Sequence, residues 1–244
     1  MIRPITFCTI LMVGLFASTT RLMATTLPFT ETFSSDVAGW TESSGVGPLT
    51  FNAAGGPDGS SYASGTFNFL NSTFGDQGPV VIRGQEPQNA SSGAFIGNWI
   101  ADGITQFSAS VRHDAGVPLS YFTRFAAPVT SFPGAIGIVA GPPAPSGVWT
   151  DITFPIVNAG PPFGPFVSYE GTSFAAVFSN VGRIQVGVEI PAALAGVDQD
   201  VTFDIDNISI VPEPSSIMLA VCGLMALVLS AGRRQRPIFR RIVA

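Results

Sequence analysis

The sequence predicts an all-β fold, a β-sandwich, for the middle of the chain. The 244 residues include 27 glycines and 20 prolines, and turn-forming clusters such as GGPDG, FGDQGP and GPPAPSG interrupt residues 25–211 about every eight to twelve residues. No long stretch of this region has the 3.6-residue apolar periodicity of an amphipathic helix. Short strands separated by frequent turns are typical of sandwiches and barrels.

Two strands are predicted clearly, because apolar and polar residues alternate in them. In TQFSASVRH, Phe107, Ala109 and Val111 share one face, and RIQVGVEI over residues 183–190 alternates in the same way. Each of these strands has one buried and one solvent-facing side. Further strands are predicted at SYASGTFNFL, VVIR, LSYFTRFA, AIGIVA and VWTDITFPI.

The last predicted strand, VTFDIDNISIV, contains a break in parity. Apolar residues alternate from Val201 to Ile205, and the pattern resumes out of step at Ile208. One residue, Asp206 or Asn207, must therefore be extra, which predicts a β-bulge at this point of the strand.

The N-terminal residues predict export of the chain. Arg3 precedes an apolar run from Ile5 to Ala17, and small residues lie near Ala24. This is the layout of a secretory signal peptide over residues 1–24. An uncleaved N-terminal anchor is the alternative interpretation, and in either form the domain that follows, residues 25–211, is carried across the membrane.

The C-terminal segment, residues 212–241, has three unlike parts. Pro212, Glu213 and Pro214 form a rigid, extended tripeptide, and residues 215–232 form an uncharged apolar stretch long enough for a single transmembrane helix. An arginine cluster follows, which keeps this end in the cytoplasm by the positive-inside rule. Its members are Arg233, Arg234, Arg236, Arg240 and Arg241.

Charge and cysteine content exclude several classes of function for the exported domain. All sixteen acidic residues lie between Glu31 and Glu213, together with only four arginines. A surface so acidic repels phosphate backbones, so we expect no nucleic-acid partner. The chain has no lysine, which excludes a Walker-type phosphate loop. Its two cysteines, Cys8 and Cys222, lie in the terminal segments, so the domain folds without disulfides.

The VPEP sequence, the uncharged stretch and the arginine cluster, in that order, resemble the PEP-CTERM sorting signal of Gram-negative bacteria. The resemblance implies a protein that is held transiently in the inner membrane and processed near Pro-Glu-Pro by an exosortase, a membrane cysteine transpeptidase. It implies delivery to the cell surface or the extracellular space of cells that make extracellular polysaccharide.

The exported region resembles the galactose-binding-type jelly roll of carbohydrate-binding modules. The matching pieces are FTETFSSDVAGWT, GNWIADGITQFSASVR, SGVWTDITFPI, SNVGRIQVGVEI and VTFDIDNISI. Jelly rolls of this type often carry a structural calcium between the first and last strands, and the matching candidates are Glu31, Asp206 and Asp204. The alternative is that Asp206 satisfies backbone donors at the bulge.

Carbohydrate binding requires exposed aromatic rings on a polar surface. Trp149 shares a face with Asp151 and Thr153, so it is either a sugar-stacking residue or a packing residue at the edge of the sheet. No residue is assigned a catalytic role: GxSxG is absent, and His113, at the end of its strand, is interpreted as a solvated turn residue.

These observations predict a non-enzymatic exported protein of the cell surface or extracellular matrix, with a structural, adhesive or polysaccharide-associated role. A carbohydrate-binding module is the first alternative. A polysaccharide-degrading glycoside hydrolase is the second, because such an enzyme needs only two suitably placed carboxylates.

Overall fold

Two antiparallel β-sheets form the body of the protein, and the all-β prediction is confirmed. The computed structural model describes residues 27–75, 79–128, 135–139, 141–158, 166–168 and 172–213. The predicted signal peptide, Pro214, the predicted helix 215–232 and the arginine cluster lie outside these residues. Over the described ranges, no helix combines the length and the apolar character that a membrane crossing requires.

Twelve strands and one short α-helix are described. The strands are β1 Phe29–Glu31, β2 Thr41–Glu42, β3 Thr50–Asn52, β4 Tyr62–Asn68, β5 Val80–Gln85, β6 Ile104–His113, β7 Tyr121–Ala126, β8 Ala135–Val139, β9 Thr150–Pro155, β10 Phe166–Ser168, β11 Arg183–Val188 and β12 Asp200–Pro212, and the helix is α1 Phe174–Phe178. Two short 3-10 turns, Glu86–Gln88 and Ala90–Gly93, follow β5.

The strands form two six-stranded sheets. Sheet A has the order β3-β4-β12-β6-β9, with β1 also paired to β12, and sheet B has the order β10-β8-β7-β11-β5-β2. The 13-residue β12 is the centre of sheet A. It pairs with β4 over Asp200–Ile205, with β1 over Ile208–Ile210, and with β6 on its other side.

The core lies between the sheets and is filled by the inward half of each alternating strand. Phe107 and Val111 of β6, Phe203 of β12 and Val186 of β11 are all buried. Aromatic rings contact one another at its centre, where Trp99 lies 5.2 Å from Phe125 and 6.5 Å from Phe107, measured between ring centroids. Period-2 patterning therefore fixes which face of each strand is available to a ligand.

The predicted bulge in β12 is confirmed. The register of β12 on β6 shifts between Asp206 and Ser209, and Asn207 adopts φ 50°. Asparagine tolerates this left-handed conformation better than most residues. The bulge returns Ile208 to the core after Ile205, so the strand remains amphipathic along its whole length.

Several elements were not predicted from the sequence. Helix α1 has only five residues, which is too short for a periodic pattern, and it begins where the Ser173 hydroxyl accepts a hydrogen bond from the Ala176 amide at 3.1 Å. The two- and three-residue strands β2 and β3 lie in a turn-rich stretch. Such short elements are specified by their partners in the sheet and not by their own sequence.

Candidate functional site

The outer face of sheet A is polar. Alternation places Asp204 and Asp206 of β12 opposite the buried Phe203 and Ile205, as predicted. The register aligns their neighbours into rows across the sheet, because Asp206 pairs with Ser110 and Ser110 pairs with Asp151. In the next row, Asp204 lies between Ser64 and Arg112.

Arg112 is the centre of this face. Its Nε donates a 2.7 Å hydrogen bond to Oδ2 of Asp204, and this is also an ion pair. The guanidinium lies 5.1 Å from the ring centroid of Tyr62 and 4.7 Å from that of Trp149. The two rings meet edge to face with centroids 5.5 Å apart. Cation–π contact and the ion pair therefore fix one cluster of four side chains.

Burial and charge act in opposite directions on this ion pair. Burial opposes the charge of Arg112, but the hydrogen bond and the negative charge of Asp204 outweigh it and raise the pKa of Arg112. Burial raises the pKa of Asp204, and Arg112 offsets this shift only in part. Arg112 therefore counteracts part of the effect of burial on the Asp204 carboxylate.

The loop between β3 and β4 folds over part of the same face. The Gly55 carbonyl accepts hydrogen bonds from Nε1 of Trp149 at 3.0 Å and from Nη1 of Arg112 at 3.3 Å. The Ser60 hydroxyl donates to Oδ2 of Asp206 at 2.9 Å. As a result, Asp206 is 0% exposed, whereas Trp149 is only partly covered.

Trp149 stands on the polar side of the sheet, where the sequence allowed it. It packs against Tyr62 and Arg112, and its indole N–H already has a protein acceptor, so packing is part of its role. The residue as a whole is only half-buried. The site thus presents an amphipathic aromatic surface beside hydroxyl and carboxylate groups.

The three predicted calcium ligands are engaged by protein groups. Oε1 of Glu31 accepts the Phe33 amide N–H at 2.9 Å. Oδ1 of Asp206 accepts the Asn207 amide N–H at 2.8 Å, which is the alternative that the sequence left open. Burial raises the pKa of Asp206. Asp204 already forms an ion pair with the guanidinium of Arg112.

Among the described residues, no group of three or more His, Cys, Asp or Glu side chains is placed to hold a metal ion. Calcium normally takes six to eight oxygen ligands. The carboxylates of this face do not form such a set, and calcium binding stays a prediction from the sequence alone.

His113 is buried, and its interpretation as a solvated turn residue was wrong. It is 1% exposed, its Nε2 lies 3.1 Å from the Ala144 carbonyl oxygen, and its Nδ1 accepts the Ala115 amide N–H at 3.3 Å. Burial lowers the pKa of His113. The parity of Phe107 and Val111 continues to residue 113, and this signal was sufficient to place the imidazole in the core.

The first two residues of the Pro-Glu-Pro motif belong to the end of the sandwich. Pro212 closes β12 opposite Ile104, and the Glu213 amide N–H donates to the Gly103 carbonyl at 2.9 Å. Both residues are therefore held by the strand pairing at the end of β12. The remainder of the motif lies outside the described residues.

Neither a protein-family model nor a curated protein matches the chain. Several solved structures resemble it in fold. The family 22 carbohydrate-binding module at the C-terminal end of xylanase 10B from Clostridium thermocellum is 12% identical with a TM-score of 0.42, over 77% of this chain and 94% of that one. A family 22 xylan-binding domain from Paenibacillus barcinonensis is 12% identical with a TM-score of 0.42, over 75% and 92%.

The structure of the N-terminal module of the same Clostridium thermocellum xylanase, solved with its catalytic module and xylohexaose, is also similar. It is 13% identical with a TM-score of 0.45, and the match covers 76% of this chain but only 28% of that longer one. These proteins are of the type that the exported region was predicted to resemble. Likenesses this distant identify no ligand for the present chain.

Proposed function

We propose that the exported sandwich is a non-enzymatic, polysaccharide-binding domain whose ligand lies over Trp149 on the outer face of sheet A. The observation that carries the proposal is the pair of aromatic rings, Tyr62 and Trp149, on a polar face that also carries hydroxyls, carboxylates and Arg112. A sugar presents an apolar ring face and a polar rim, so a site for it combines an aromatic surface with nearby hydrogen-bonding groups.

The state of Asp204 and Asp206 supports a binding role over hydrolysis by these two carboxylates. A glycosidase needs one carboxylic acid and one carboxylate that both reach the sugar. On this face Asp204 is held by Arg112, and Asp206 is inaccessible beneath Ser60. Neither group is available to a substrate in the described arrangement.

The variant Trp149→Ala tests the binding site. Truncation removes the aromatic surface, and we expect the affinity for any neutral polysaccharide bound by the wild type to fall about tenfold or more, since stacking contributes on the order of 1 kcal/mol or more. An array of neutral polysaccharides, probed with the full-length protein in detergent, identifies a ligand, and calorimetry then compares the variants.

Phe74→Ala is the matched control, because Phe74 is 67% exposed and lies in the loop after β4. It removes an exposed aromatic ring while leaving the Arg112 cluster intact, and its affinity should equal that of the wild type. A well-folded Trp149→Ala protein with unchanged affinity would rule out this site.

We also propose that the chain is sorted through its C-terminal segment, processed by an exosortase, and delivered from the inner membrane to the cell surface or the medium. Support comes from the order of the three sequence parts and from the position of Pro212 and Glu213 at the end of β12.

Replacing Pro212, Glu213 and Pro214 together by alanine tests the sorting proposal. We expect the unprocessed chain to accumulate in the inner-membrane fraction, as followed by immunoblot of fractionated cells. The triple substitution Ser215, Ser216 and Ile217 to alanine is a control beside the motif that should be processed normally. Normal size and surface delivery of the Pro-Glu-Pro variant would remove the sorting role.

A further inference from the structure

Three arginines lie on neighbouring strands of sheet B. Gln185 of β11 pairs with Arg83 of β5 on one side and with Arg124 of β7 on the other, and Arg183 is two residues before Gln185. All four side chains are on the outer face, because the alternating residues of β11 point into the core. Three of the four arginines between Glu31 and Glu213 are thus concentrated on one face, opposite the acidic face of sheet A.

Keeping these cations together costs free energy. Burial first, and then the positive charges of Arg124 and Arg183, lower the pKa of Arg83. The fold nevertheless holds Arg83 in a fixed position, since its Nε donates a 2.7 Å hydrogen bond to the Ser43 carbonyl. Within the described residues, the two terminal amino groups of Arg83 make no hydrogen bond to the protein.

The turn that follows β2 packs flat against this arginine. Gly45 has φ +75°, and a Cβ atom at this position would lie 3.3 Å from Cδ of Arg83 and 2.8 Å from Nε2 of Gln85. The close approach of the turn leaves the Arg83 side chain little freedom. A guanidinium that is already ordered loses less entropy when it binds an anion.

A groove of about 340 Å³ opens beside Arg83. Its polar lining comes from Ser43, Ser44, Asn71 and Ser72. Phe67, Pro79, Val80 and Ile190 form the apolar part. The volume lies in the range of small-ligand sites. Hydroxyl and amide groups suit the hydroxyls of a sugar, and the paired donors at the end of a guanidinium match the two oxygens of a carboxylate.

We propose that this groove binds the carboxylate of a uronic acid within an acidic polysaccharide, with Arg83 as the anion-binding residue. Arg124 and Arg183 raise the local positive potential. The net negative charge of the body does not prevent this, because charges more than about 8 Å away are screened at physiological ionic strength. It does disfavour unspecific binding of polyanions elsewhere. The lining of the groove includes Phe67 of β4 but no residue of the Arg112 cluster, so the site is separate from Trp149.

The test is calorimetry of the full-length protein with three polymers: polygalacturonic acid, its methyl ester and dextran sulfate. We expect polygalacturonic acid to bind most tightly, and its affinity to fall about tenfold or more in Arg83→Gln, as for a lost charge-assisted pair. The methyl ester has the same backbone without the charge and should bind at least about tenfold more weakly.

A second variant keeps the test valid if Arg83→Gln is poorly folded. Asn71 is an exposed residue at the rim of the groove, and Asn71→Asp is isosteric but places a negative charge there. Asn71→Asp should weaken the binding of polygalacturonic acid. Asn71→Ala should still bind polygalacturonic acid more tightly than its methyl ester. Thermal melts of both variants establish that they are folded.

Three results would overturn the proposal: equal affinity for polygalacturonic acid and its methyl ester, equal affinity for dextran sulfate, or wild-type affinity in Asn71→Asp. Trp149→Ala separates this site from the proposed neutral-polysaccharide site. The Trp149→Ala variant should bind polygalacturonic acid with wild-type affinity even if its affinity for a neutral polysaccharide is lost. The two proposed sites can therefore be tested separately.

Discussion

Trp40→Ala is expected to destabilise the protein by about 3 to 5 kcal/mol, the range for deleting a buried large aromatic side chain. Trp40 is 0% exposed, its Nε1 donates a 2.9 Å hydrogen bond to the Ser91 hydroxyl, and its ring meets Phe33 and Phe95 edge to face. Sheet B packs directly on the same ring, because a Cβ atom at Gly84 would lie 2.8 Å from it. Truncation therefore leaves a cavity and an unpaired hydroxyl.

Urea unfolding followed by circular dichroism measures this loss. Trp149→Ala is the matched control, since it removes the same side chain from a partly exposed position and should cost about 1 kcal/mol. A loss at Trp40 no larger than the loss at Trp149 would contradict the described packing.

Arg112→Met is expected to destabilise the protein by about 3 kcal/mol at neutral pH, near the lower end for breaking a buried ion pair. The side chains of Arg112 and Asp204 are 26% and 10% exposed, so the variant leaves a largely buried carboxylate without its cation. The contacts of Arg112 with Tyr62 and Trp149 are lost as well.

The pH dependence of this variant has a defined sign. Without Arg112, burial raises the pKa of Asp204 further above its unfolded value of 3.8, so the folded state of the variant binds a proton that the unfolded state releases. The loss of unfolding free energy relative to the wild type is therefore full at a pH above the pKa of Asp204 in the folded variant. It becomes smaller as the pH falls toward 3.8. Urea unfolding at pH 7 and pH 4 measures both values.

The double variant Arg112→Met/Asp204→Leu is the control, and we expect it to recover most of the lost stability because no charge remains buried. A single variant whose deficit does not change with pH would show that packing, and not the charge of Asp204, explains the loss.

Alternation of apolar residues was the most informative signal in the sequence. It predicted the inward faces of β6 and β11 and the bulge near Asn207, because the period of a strand is fixed by backbone geometry. The same alternation places His113 in the core, whereas its position before a turn favours a solvated side chain, and the alternation is the signal that agrees with the structure. The sequence does not show whether the Trp40 side chain is buried, because its burial depends on packing against Gly84 in a different part of the chain.

The binding surfaces were harder to predict. Trp149 is a candidate from the sequence because it shares a face with Asp151, but its contact with Tyr62 depends on the order of β4, β12, β6 and β9 in the sheet. The arginine cluster of sheet B was not foreseen for the same reason. Arg83, Arg124 and Arg183 are far apart in sequence, and only the register of three strands brings them together.

The central place of β12 has a consequence for biogenesis. Its partners β1, β4 and β6 all precede it in the chain. During N-to-C synthesis, the edges of these strands that pair with β12 therefore have unpaired N–H and C=O groups until β12, the last described strand, has been made. A nascent body that lacks this strand exposes unpaired edges, which favour aggregation. Native folding is thereby delayed until nearly all of residues 25–211 have been synthesised.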